Sequence, residues 1–232
     1  MLFRSAEPTQ LSTRERYEEM PVELSRVNLA WHIPAVTHPD VYPLDVLAIV
    51  LGQGKSSRLY RELRQKRGLV HSIEASSYTP AYPGLFNVEA MTDADKRDAA
   101  IAAIREHMGQ LATEPISESE VQKAIKISTS NLLDRLKTMS GQASDIAHNE
   151  ILVGDPNFSE TYLENLRKVT RNDVQRVARQ YLTDDNLTIT TLDPAGTMKK
   201  VAAVQIAGEG INIQKIELPD RKSTRLNSSH ER

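Results

Sequence analysis

Residues 51–72 read LGQGKSSRLYRELRQKRGLVHS. Gly54-Lys55-Ser56 has the form of the end of a phosphate-binding loop. Such a loop needs a further glycine five residues before Gly54 and a strand leading into it, so that successive backbone amides face the phosphates. The residue at that place is Ile49, inside VYPLDVLAIVLG, which reads as an apolar helix opened by His38-Pro39-Asp40. A helix there removes the amide cradle. A simpler reading is a corner: one helix ends at Gly52 and Gly54, and Ser56 or Ser57 caps a second that runs to about Lys66 and closes at Gly68. Arg58, Arg61, Arg64 and Arg67 recur every three residues along one side of that second helix. Such a row ordinarily makes a solvated basic face. The sharper alternative is that Arg64 or a neighbour contacts a peptide carbonyl or carboxylate, with His71 close by on the next strand.

Outward from this corner, strands and helices segregate. Residues 22–33 (VELSRVNLAWHI) alternate and are β-prone. Residues 69–78 and 85–92 read as two strands joined by TPAYPG, a hairpin. The following stretch is helical. Ile101, Ile104, Met108 and Leu111 recur at helical spacing. Ser117 to Glu120 forms a capping box, with Ile116 and Val121 as its hydrophobic staple. Further helices are expected over 141–152 and near 158–167, separated by Gly154-Asp155-Pro156. Thr170 caps the last, with Asp173 three residues on and Val169 and Val174 as the staple pair. NLTITTL, 186–192, returns to strand. This order predicts an α+β fold, an antiparallel sheet backed by helices, and not a doubly wound nucleotide fold.

Composition narrows the function. The 232 residues carry a formal net charge of -2, which argues against a broad nucleic-acid face. No apolar run reaches the roughly 18 residues of a membrane span. MLFRSAEPTQ has no apolar signal region. The absence of cysteine removes disulfides, zinc ribbons and thiol catalysis. The six histidines are His32, His38, His71, His107, His148 and His230. The inverted zinc motif H-x-x-E-H has one near miss, Ala103-Ile104-Arg105-Glu106-His107, where alanine replaces the first ligand. His148-Asn149-Glu150 has the wrong spacing. No serine sits in a G-x-S-x-G elbow. No metal site and no catalytic residue is assigned.

Taken together, residues 52–72, VNLAWHIP, HPD at 38–40, PGLFNVEA at 83–90 and SESEVQKA at 117–124 resemble the C-terminal-type domain of the pitrilysin/insulinase family of zinc metallopeptidases. That family includes the mitochondrial processing peptidases. The resemblance covers roughly residues 7–193. It implies a metallopeptidase-type α/β roll, one of two related domains in each half of an enzyme that closes around an unfolded peptide. Zinc would lie in another domain of the parent, on H-x-x-E-H and a distant glutamate, and no cofactor is expected in this chain. Relatives bind substrate through an arginine and a tyrosine seven residues later. Arg64 matches the arginine, and His71 stands at the tyrosine position. Imidazole still donates a hydrogen bond, with different charge and reach. In tandem members of the family that pair belongs to the later half, which weakens both assignments.

The resemblance implies a division into residues 1–20, a linker from an upstream domain; 21–194, the peptidase-type domain; and 195–219, a linker and the first strand (INIQKIELPD) of a following domain. DRKSTRLNSSH, within 220–232, reads as translated sequencing adapter behind a true end near Pro219. The expected function is a non-catalytic, chamber-forming and peptide-holding domain of a zinc metalloendopeptidase. The alternative is a structural or assembly subunit of the same fold. Expected partners are unfolded or extended peptides and the other half of the peptidase, in cis or as a separate subunit. The compartment, periplasm or cytoplasm, stays open.

Overall fold

The computed structural model describes residues 9–111, 113–114 and 116–197. Among them, five strands form one sheet in the order β1-β5-β2-β4-β3. They are β1 Arg14–Met20, β2 Ser25–Ile33, β3 Ser72–Tyr78, β4 Gly84–Thr92 and β5 Leu187–Pro194. The helices are α1 Val41–Gly52, α2 Arg97–Gln110, α3 Glu118–Arg135, α4 Met139–Val153, α5 Phe158–Arg167 and α6 Arg171–Tyr181. The fold is α+β with helices backing the sheet, as the sequence predicts. The following strand and the adapter tail expected within residues 198–232 lie outside the described residues.

The pleat decides which side chains reach the helices. Along β2, Val27, Leu29, Trp31 and Ile33 are buried while Arg26 is exposed, the alternation of a strand with one covered face. Phe86, Val88 and Ala90 of β4 and Leu187 and Ile189 of β5 continue the same layer. Trp31 and Phe86 meet edge to face, with ring centroids 6.4 Å apart. Helix α1 closes the layer from the other side. Leu44, Leu47 and Leu51 are wholly buried, and it packs on β3, α3, α5 and α6. Truncating one such leucine to alanine costs about 2–5 kcal/mol through lost burial and the cavity left behind.

Local side-chain caps set the starts of α3, α4 and α6. Glu120 N–H donates to Ser117 Oγ at 3.3 Å while Glu120 Oε2 accepts from Ser117 N–H at 3.0 Å. Thr170 and Asp173 repeat the arrangement at the same two distances, 3.3 and 3.0 Å. Both staple pairs are buried. Asp40 behaves differently. Its side chain makes no cap on α1 and instead accepts from Arg176 Nη2 at 2.6 Å and Tyr181 Oη at 2.7 Å, tying α1 to α6.

Three expectations need correction. Residues 14–20, placed in a linker, are the edge strand β1. RERYEEM lacks the apolar alternation that marks a strand, because only one edge and one face of it touch protein. Secondly, β1 runs parallel to β5, so the sheet is not wholly antiparallel. Thirdly, neither serine caps the second helix of the corner. Tyr60–Lys66 is a π-helical stretch, with Arg67 N–H donating to the Glu62 carbonyl at 3.1 Å. Ser57 Oγ is buried without a hydrogen-bond partner, and Ser56 Oγ accepts from Lys123 Nζ at 2.5 Å. The wide turn leaves Leu59 and Leu63 both wholly inside.

Candidate functional site

Among the described residues, the sheet face away from the helices is uncovered and carries a hollow. Cross-strand register sets Thr190, Asn28, Glu89 and Glu74 in one row across β5, β2, β4 and β3. The next row is Leu192, Arg26, Met91 and Ser72. These rows line a hollow of about 570 Å³. Glu74 and Glu89 stand directly opposite each other, and a like-charge pair in that position costs stability.

A second groove runs beside β3. It has a volume of about 400 Å³ and is lined by Asp45 of α1, by Gly52 and Gln53 where that helix ends, by Ser76 of β3, by Ser128 of α3 and by Tyr162 of α5. The sequence builds it by a close approach. A Cβ on Gly52 would lie 1.9 Å from the backbone nitrogen of Ala75, so only glycine lets α1 end against β3. Gly54, at φ +78°, then turns the chain away from the strand.

Asp45 is the one charged residue of VYPLDVLAIVLG. Its Oδ2 accepts from Tyr162 Oη at 2.7 Å. Burial pushes the Asp45 carboxyl up to about 6, against the opposing pull of the Tyr162 hydrogen bond. Nearby Ser77 Oγ makes no well-formed hydrogen bond. Burial, then the neighbouring Asp45 charge, raises the Tyr162 phenol above its ordinary value. The groove therefore holds a carboxyl raised by burial, a phenol that stays protonated and the Ser77 hydroxyl beside that carboxyl. It can bind donors and acceptors alike, but among these groups there is no paired nucleophile and base.

The arginine row of the corner disperses. Arg58 makes a bidentate pair with Glu120, 2.8 Å on both arms, which ties the π-helical stretch to the start of α3. That pair, with the Ser117 hydroxyl, holds the Glu120 carboxyl at about 2. Arg67 donates to Glu62 at 3.1 Å and Glu106 at 3.0 Å. Arg64 is exposed, its guanidinium carbon 5.0 Å from the centroid of the Tyr60 ring. His71 sits just before β3, with Nε2 2.8 Å from Asp93 Oδ1. Arg64 and His71 thus have separate partners, and neither lines the two hollows described above.

Sequence reasoning missed Asp45 and Tyr162. A lone acid in an apolar helix was the available signal for the first. Nothing local marks the second, which arrives from 117 residues away. Zinc does not fit. Among the described residues no group of three His, Asp or Glu side chains could hold a metal ion. Glu106 is paired with Arg67, and His107 Nε2 is buried with no hydrogen-bond partner.

Comparison with known proteins matches this picture. Residues 3–128 match the family described as the peptidase M16 inactive domain. An uncharacterized zinc protease of Bacillus subtilis, YmxG, is 26% identical over 194 residues, 83% of this chain and 47% of that protein. The crystal structure of a protease from Helicobacter pylori superposes with a TM-score of 0.71 at 26% identity, over 81% of this chain and 46% of that one. A peptidase M16 inactive domain from Pseudomonas fluorescens superposes with a TM-score of 0.72 at 16% identity, over 85% and 47%, a likeness of fold. The chain spans about half the length of these relatives. With more than half of its residues matched, in a fold shared with such domains, the chain belongs to the peptidase M16 inactive-domain family.

Proposed function

We propose that this chain is a non-catalytic wall and peptide-holding domain of a zinc metalloendopeptidase, working with another half that carries the metal. The observation that carries the reading is the edge of β3, which pairs with no further strand among the described residues, beside a polar groove. An extended peptide can pair its backbone along Ser72–Tyr78 while side chains enter the groove and the hollow on the sheet face. In the parent, zinc would activate water for attack on the peptide bond. The residues here contribute position: backbone donors and acceptors at the edge, Asp45 and Tyr162 in the groove, and Arg26, Glu74 and Glu89 on the sheet face. Arg64 and His71 belong to the same proposal as peripheral peptide contacts.

The test uses the purified chain. It is expected to bind fluorescein-labelled casein, read by anisotropy, without cleaving it and without holding stoichiometric zinc after dialysis. Zinc at one equivalent with chelator-sensitive cleavage would sink the reading. Failure to bind unfolded casein would leave the structural-subunit alternative in its place.

A further inference from the structure

Helix α4 is built inside out. Its buried residues are Asp145 and Asn149. They form a polar knot: Asp145 Oδ1 accepts from Arg135 at 2.8 Å, and its Oδ2 accepts from Ser159 Oγ at 2.6 Å and Asn149 Nδ2 at 3.1 Å. The large apolar side chains point the other way. Met139 is 76% exposed, Ile146 53% and Ile151 81%, with Leu133 of α3 at 50%. A solvated helix normally shows the reverse arrangement.

The exposed residues have an order. Met139, Ala143, Ala147 and Ile151 follow one another at i+4, the ridge by which two helices interlock. The ridge is symmetric about position 145. Turned antiparallel on itself, it sets Met139 against Ile151 and Ala143 against Ala147, with the small residues at the crossing and the large ones at both ends. Charge agrees. The exposed Glu150, near the C-terminus, would face the partner's first helical turn, where the helix dipole is positive. The ridge is roughly 18 Å long at about 1.5 Å per residue. It covers less than the roughly 1,200 Å² of a stable complex, so the association is weak.

From this self-matching ridge we infer that α4 is a docking surface for a second copy of the chain, packed antiparallel about a two-fold axis at position 145. The chain has no cysteine, which makes the test clean. Ala143→Cys and Ala147→Cys chains are purified separately, mixed and oxidised mildly. A disulfide needs Cβ atoms about 4 Å apart. The mixture is expected to crosslink at least fivefold more than either variant alone, and adding Ile151→Glu to both is expected to abolish the band. Sedimentation of the unmodified chain, from about 10 μM to 1 mM, is expected to show a rising dimer fraction. Like-with-like crosslinking, indifference to Ile151→Glu, or a monomer at every concentration would overturn the inference. The last would assign the face to another occupant. The outcome is independent of whether β3 binds peptide.

Discussion

β1 and β3 close the sheet at its two sides and are built in opposite ways. Five of the seven residues of β1 are charged, and Arg16 donates to Glu18 along the strand at 2.7 Å. On its inner side, Tyr17 lies beneath the Arg97 guanidinium, 5.2 Å from centroid to carbon. Arg97 in turn holds the buried Asp193 of β5 at 2.7 Å. β3 (SIEASSY) has a single charge, Glu74, and a groove behind it. A strand crowded with charge discourages pairing with another chain, and one without it invites pairing. Among the described residues, the sheet has a charged outer strand on one side and a nearly uncharged one on the other.

The most forceful way to break the contrast is to disrupt the β1 side. Asp193 is wholly buried and accepts from Ser25, Thr191 and Arg97. Burial alone would raise its carboxyl, but these three donors outweigh it and hold the group below its ordinary value. Asp193→Ala removes the buried acceptor shared by Ser25, Thr191 and Arg97, leaves Arg97 only its exposed pairing with Asp98, and should cost about 3 kcal/mol in urea unfolding. The sign with pH follows from the lowered value. The stabilisation is complete above the ordinary carboxylate pKa of 3.8 and is lost as pH falls below it.

On the β3 side the sign reverses. Asp45 is raised from 3.8 to about 6, so the folded state is penalised as pH climbs through that window. Asp45→Asn keeps an acceptor for Tyr162 and removes the charge. It should stabilise the chain by about 1–3 kcal/mol at pH 7.5, with a smaller gain at pH 5, read as melting temperature. Equal gains at both pH values would show that burial of the charge is not what the groove costs.

The finest test grafts one edge onto the other. Ser76→Lys with Tyr78→Lys makes β3 resemble β1. Casein binding should weaken about tenfold, or about 1.4 kcal/mol, while unfolding shifts by less than about 0.5 kcal/mol. Unchanged binding would move the peptide away from this edge.

What the sequence made legible was local or periodic. The capping boxes at Ser117 and Thr170 span four residues each, and the hairpin around TPAYPG is announced by its prolines and glycine. The phosphate-loop reading failed on one residue, Ile49, and the structure places that residue within α1. The four arginines were harder. Their spacing shows a row, but a row cannot say that Arg58 finds Glu120 62 residues away while Arg67 turns to α2.

The sequence by itself therefore determined the fold class, the helix starts at Ser117 and Thr170, the hairpin and the absence of a zinc motif. Each rests on side chains within a turn or two of one another, where spacing alone sets which groups meet. Tertiary structure alone decided that RERYEEM is a strand, since its parallel partner Leu187–Pro194 lies more than 160 residues on. It alone brought Tyr162 to Asp45 and turned the apolar side of α4 outward. Those outcomes depend on which surfaces the packed helices cover, and burial is a property of the assembled layer, not of any segment within it.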